Sequence, residues 1–111
     1  MNRTAARARV RQLLAWMETE MVTGACPQCG VVGEDLGMAP PEWQAEHGEA
    51  VGVPSTSPIH GLQFRHLPRC PLEKVNDELD RHVGRHRMRL QPVQIKADRG
   101  YVRVLRLVEE E

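Results

Sequence analysis

What most limits the folding of this chain is a pair of pairs: Cys26-Pro27-Gln28-Cys29-Gly30, an excursion of 36 residues, then His66-x3-Cys70. A Cys-x2-Cys turn brings two thiolates to one side, where both can reach one ion at ~2.3 Å, and a glycine after the second cysteine lets backbone amides turn toward the sulfurs. The second pair would supply the other two corners of a tetrahedron. Cys70 is expected at the mouth of a helix, where the dipole favours a thiolate. Four protein donors leave no corner for a water nucleophile, so the pattern implies structural zinc rather than zinc catalysis. Cys26, Cys29 and Cys70 carry this assignment. His66 is the expected fourth ligand, His60 is its main rival, and His82, His86 and His47 stand behind them. The competing reading is a redox Cys-x-x-Cys, which wants the motif at a helix start after a strand; here an amphipathic helix precedes it.

A staple is needed because the chain is poor in core-building residues. It has 111 residues, enough for one compact domain, yet its aromatics are only Trp16, Trp43, Phe64 and Tyr101. Many of its 9 glycines and 8 prolines fall between residues 24 and 71, so apolar burial alone has difficulty offsetting the entropy of ordering that stretch. Three cysteines cannot all pair within one chain, and the first residues alternate Arg with Ala rather than leading into an apolar run. A reducing compartment, the cytoplasm, is the expectation. No window approaches 18 consecutive apolar residues, so neither a membrane span nor a membrane partner is expected.

Residues 4–22 read as an amphipathic helix, with Ala6, Val10, Leu13, Leu14, Met17 and Met21 at spacings of three and four, Thr4 or Asn2 as N-cap and Gly24 as terminator. After the Cys-x2-Cys turn, Val31-Val32 suggests a short strand, and from Gly33 to Ser57 the periodicity fades. Pro41 to Gly48 has the makings of two helical turns, Val53 to Pro58 of a loop, and Gly61 to His66 of a short strand. A second helix is expected to open just after Cys70, with Pro71 at its first position and Leu72, Val75, Leu79 and Val83 as its buried stripe; Gly84 weakens its end. The chain closes in a hairpin, strands near 88–96 and 101–108 around Ala97-Asp98-Arg99-Gly100. Pairing Lys96 with Tyr101 puts Val93, Ile95, Val102 and Val104 on one face and Leu90, Leu105 and Leu107 on the other, and Pro92 confines its strand to an edge. The expected fold is therefore a single α+β domain over 1–111: an N-terminal helix (1–24), a zinc module (25–83) with knuckle, irregular insert and second helix, and a basic hairpin with an acidic tail (84–111), the hairpin packing on both helices.

A Cys-Pro-x-Cys-Gly knuckle, a variable insert and a second ligand pair whose last member opens a helix resembles the treble-clef and zinc-ribbon group. The resemblance covers residues 25–83, on Cys26, Cys29, His66 and Cys70. Such modules carry a β-hairpin between knuckle and helix, where this chain has its Pro/Gly-rich insert. Because some of the group are HNH-type nucleases, the resemblance also brings Glu46, His47 and His60 into view as fragments of a catalytic site. The Asn expected between helix-borne ligands has no match, Asn2 and Asn76 being the only two.

Formal net charge is zero, but unevenly spread. Residues 1–60 carry four arginines against seven acids, residues 61–108 nine arginines and two lysines against five acids, and Glu109-Glu110-Glu111 restores the balance. Arginine's planar fork suits phosphate better than lysine does. Arg81, Arg85, Arg87 and Arg89 form the densest cationic run; Arg3, Arg7 and Arg11 lie four apart on one face of the first helix, where they oppose its dipole. These seven are the candidate partner-binding residues, and the run has no interleaved aromatics for stacking single strands. The reading is a non-enzymatic regulatory or adaptor module contacting nucleic acid or a nucleic-acid-processing protein. The runner-up is a purely protein-binding subunit whose 88–108 ribbon adds to a partner's sheet or to a second copy of itself as a homodimer; an HNH-like nuclease is third. Thirteen arginines to two lysines, with abundant Ala, Val, Gly and Pro, suggest a GC-rich genome, such as that of an actinobacterium or its phage.

Overall fold

A computed structural model of the chain describes residues 2–38, 60–97 and 100–109. Its first helix, α1 (Arg3–Thr23), is bounded by local chemistry. The Asn2 side chain accepts from the Ala5 N–H at 2.8 Å, and the Gly24 N–H closes the far end on the Glu20 carbonyl at 2.8 Å. The buried stripe is Ala6, Val10, Leu13 and Leu14, while Met17 and Met21 are half-buried.

The chain then turns through the knuckle, where Val32 makes an isolated antiparallel bridge with Ala25 rather than the short strand expected at Val31-Val32. Strand β1 (Glu34–Met38) follows and pairs antiparallel with β2 (His60–Gln63), Glu34 opposite Gln63 and Asp35 opposite Leu62. Strand β2 overlaps the short strand expected over Gly61 to His66, starting one residue earlier and ending at Gln63, whereas the fading periodicity after Gly33 concealed its partner β1. The helical turns expected at 41–48 and the loop at 53–58 lie outside the described residues.

Helix α2 (Val75–His86) begins later than the sequence suggests. Pro71 heads a tighter turn instead. Glu73 and Val75 donate three residues back, to Cys70 and Leu72, before the four-residue spacing starts with Glu78 on Lys74. Cys70 thus opens this turn and not the helix. At the other end α2 passes through Gly84 to His86, and Arg87 caps it at φ 52° with its N–H on the Val83 carbonyl. Strands β3 (Leu90–Ala97) and β4 (Gly100–Leu107) pair in the expected register, Lys96 opposite Tyr101, Ile95 opposite Val102 and Val93 opposite Val104.

Two apolar clusters hold these elements. The larger joins Ala6, Val10, Leu13 and Leu14 to Cys26, Leu72, Val75, Leu79 and Met88, with Leu13, Leu72 and Val10 fully buried. Each such aliphatic side chain contributes roughly 1.5–3 kcal/mol. The smaller gathers Ala97, Val102 and Val104 with Met21, Val93 and Ile95. Both faces of the hairpin are used, since Leu90 and Leu107 pack on the larger cluster. The hairpin rests on α1, however, and meets α2 only through that cluster, because α1 is the wall that both clusters share.

Candidate metal centre and arginine surface

The knuckle is shaped by its own backbone. Cys26 N–H donates to the Val31 carbonyl at 2.8 Å, Gly30 N–H to the Cys26 carbonyl at 2.9 Å, and Gly30 takes φ 78°, a conformation that costs a residue with a Cβ roughly 1 kcal/mol or more. The second pair is set by a turn over residues 67–70, with Cys70 N–H on the Leu67 carbonyl at 3.1 Å and Arg69 at φ 70°. Pro68 at the second position and a positive φ at the third mark a type II turn. It reverses the chain so that His66 and Cys70 face the same point.

That point is where the four donors meet. The Sγ atoms of Cys26 and Cys70 are 3.8 Å apart, and His66 Nδ1 lies 3.7 Å from the Sγ of both Cys29 and Cys70. All four donor atoms fall within 4.8 Å of one another. Ligands of a tetrahedral ion at ~2.3 Å from sulfur and ~2.0 Å from nitrogen stand about 3.5–3.8 Å apart, so the group could hold a metal ion and is consistent with zinc. Backbone N–H groups turn toward each sulfur. Gln28 donates to Cys26 and Leu72 to Cys70, each at 3.4 Å. The Leu67 N–H is the main influence lowering the Cys29 thiol to about 6, with Val31, His66 and Cys26 adding to it against the effect of burial. Burial pushes Cys70 up to about 11, opposed by the Leu72 N–H. A divalent cation needs all three as thiolates.

His66 is held from three sides. Its ring stacks on Phe64 with centroids 6.0 Å apart and planes 18° from parallel. Phe64 in turn closes on Gly33, where a Cβ would stand 2.8 Å from the ring edge. On the remaining side His66 Nε2 faces Glu20 Oε2 at 3.4 Å, both side chains nearly buried. Burial raises Glu20 to about 7, with His66 opposing and Cys29 reinforcing the shift. An ion at Nδ1 leaves the imidazole proton on Nε2, aimed at this carboxylate, the arrangement that orients metal-bound histidines. Sequence reasoning missed Glu20. The signal was there: it follows Leu13 by seven residues and Met17 by three, an acid within the apolar stripe.

The other histidines are placed elsewhere. His82 is buried against Glu78 Oε2 at 3.1 Å, and that carboxylate also binds Arg9 at 2.8 and 3.2 Å. The His86 carbonyl accepts from Arg3. His47 and the side chain of His60 lie outside the described residues, as does Glu46. Among the described residues, Cys26, Cys29, His66 and Cys70 are the one group able to hold a metal ion. No family model, curated protein or solved structure matches the chain. No helix among the described residues is long and apolar enough to cross a membrane.

The seven candidate arginines divide in two. Arg81, Arg85, Arg87 and Arg89, in the second half of α2 and just beyond it, are exposed, and among the described residues none of them pairs with a carboxylate. Those on α1 are engaged: Arg7 and Arg11 hold Glu109, and Arg3 holds the His86 carbonyl. Nearby, burial lowers His86 first, with Arg85 and Arg3 adding to the effect, which reflects the cationic field at this end of the molecule.

Proposed function

We propose that this chain is a non-enzymatic zinc-binding regulatory or adaptor module of treble-clef type that docks on the phosphate backbone of nucleic acid. Zinc fits the Cys3His set, and thiolate ligands suit a reducing compartment such as the cytoplasm. The order of knuckle, antiparallel strand pair, second ligand pair and helix supports the treble-clef reading. Four protein donors leave no open coordination corner, which speaks for a structural ion.

The observation that carries the partner assignment is the group of four exposed arginines, from the second half of α2 onward, that pair with no carboxylate among the described residues. Arginine forks left unneutralised on one surface suit a phosphate ladder, where contacts are made without base readout. Binding to a labelled DNA or RNA duplex over a range of salt tests it. The expected log–log salt slope is about −0.9 per phosphate neutralised, and changing Arg81, Arg85 and Arg87 together to Ala removes about three contacts from it. Affinity that ignores both salt and these substitutions would transfer the assignment to a protein partner. A specific feature favours that second reading: Val32 and Leu67, beside the metal ligands, are exposed large aliphatics. Pro92 and Lys96 on β3 weigh against sheet-edge addition, since each guards an open edge.

A further inference from the structure

We propose that Arg7 and Arg11 form a second phosphate-binding site, which Glu109 occupies as an internal competitor, so that the acidic run restrains binding at the arginine surface. The inference rests on the nucleic-acid reading above and adds its regulation. Arg7 and Arg11 are one helical turn apart and share one carboxylate. Arg7 reaches Glu109 Oε2 at 2.9 Å, and Arg11 grips it as a fork, 2.7 Å to Oε2 and 3.0 Å to Oε1. That fork fits two oxygens of a phosphate equally well.

The two sides of this contact differ in how firmly they are fixed. The Arg7 side chain is only 13% exposed, and its buried Nη1 has no hydrogen-bond partner among the described residues. Glu109 is 60% exposed, so water and salt can replace it. One carboxylate therefore leaves a desolvated guanidinium incompletely satisfied, whereas a phosphate brings more acceptor oxygens to the same place. The site is also continuous with the open arginines. Arg3, on the same row of α1, donates to the His86 carbonyl, and Val108 N–H, next to Glu109, donates to the Arg89 carbonyl at 2.9 Å. From Arg89 through Arg3 to Arg7 and Arg11, the basic track ends under Glu109.

The test compares the full chain with E109Q and E109Q/R11A on two probes: a labelled duplex of about 20 base pairs titrated at several salt concentrations, and elution from heparin, a polyanion without bases. Melting temperature with bound metal checks that each variant is folded. The expected result for E109Q is affinity about three- to tenfold tighter at low salt, with a slope steeper by about one to two. R11A in the same chain should take back most of the gain. If the full chain binds duplex and E109Q binds no better on either probe, internal competition is overturned while the nucleic-acid reading stands. If no form binds duplex but E109Q elutes from heparin at higher salt than the full chain, competition stands and the nucleic-acid reading falls. Failure of every form on both probes overturns both.

Discussion

Where α1 meets the knuckle and α2, Val10, Leu13 and Leu72 are fully buried and three cysteines and a histidine converge on one point. Where the same helix meets the hairpin, the cluster is Ala97, Val102 and Val104, ringed by half-buried Met21, Val93 and Ile95, and exposed ion pairs such as Glu18–Arg106 accompany the packing in place of shared donors. The first region joins two ligand pairs separated by 36 residues, so the entropy of closing that loop has to be offset. The second joins adjacent strands through a short connection and needs little beyond a wall to lean on. Donors able to hold an ion converge where contacts are distant in sequence, and adjacent strands pair where they are near. The two regions are still not independent, because α1 is a face of each.

The largest expected effect comes from breaking the region around the four donors. Chelation, or Cys26→Ser, should abolish the cooperative melting transition and the amide protection of α2, with bound metal falling in parallel. Protection of Val102 and Val104 should go with it. A two-stranded hairpin is marginal on its own in water, and α1 loses the partner that holds it in place. Hydrogen exchange followed by mass spectrometry after chelation checks this; a hairpin still protected would show that the second region folds without the first.

Packing mutations sharpen the contrast with the metal kept saturating. Leu13→Ala, in the fully buried seam of α1, should cost about 2–5 kcal/mol. Val104→Ala removes two methyl groups' worth of burial from the thinner cluster and should cost roughly 1.6 kcal/mol. Denaturant midpoints at constant slope give both values. Equal losses would mean that the hairpin is as tightly built as the core beside the four donors.

The hairpin was legible in the sequence down to its register because its rule is local: alternation plus Gly100 in a short connection determine Lys96 opposite Tyr101. The ligand set was legible for a different reason, since few chemistries need Cys-x2-Cys and His-x3-Cys together. What was hidden depends on contacts across the chain. Strand β1 is five residues long and gains its partner only across the insert, so it carries no pattern of its own, whereas β2 overlaps the short strand expected over Gly61 to His66. The late start of α2 follows from Pro71 and the i+3 bonds after Cys70, which a buried stripe of Leu72 and Val75 does not distinguish from a helical turn. Likewise, Arg7 and Arg11 looked available for a partner until Glu109 was found on them, 102 and 98 residues away in the chain.

Glu20 is the place where the two regions can be separated most finely. It sits on the shared helix, but its contact is with His66, so removing it should disturb the metal and leave both apolar clusters intact. Glu20→Ala deletes the acceptor for the Nε2 proton and should weaken metal binding roughly 100-fold; Glu20→Gln keeps an oxygen there without the charge and should weaken it roughly 10-fold. Competition against a chromophoric chelator measures both. At saturating metal the Gln variant should melt close to the wild-type temperature, because the side chain it retains fills the same space beside His66. Metal affinity unchanged in both variants would mean that Phe64 and Gly33 orient His66 by themselves, and that the carboxylate at 3.4 Å is a neighbour without a function at the centre.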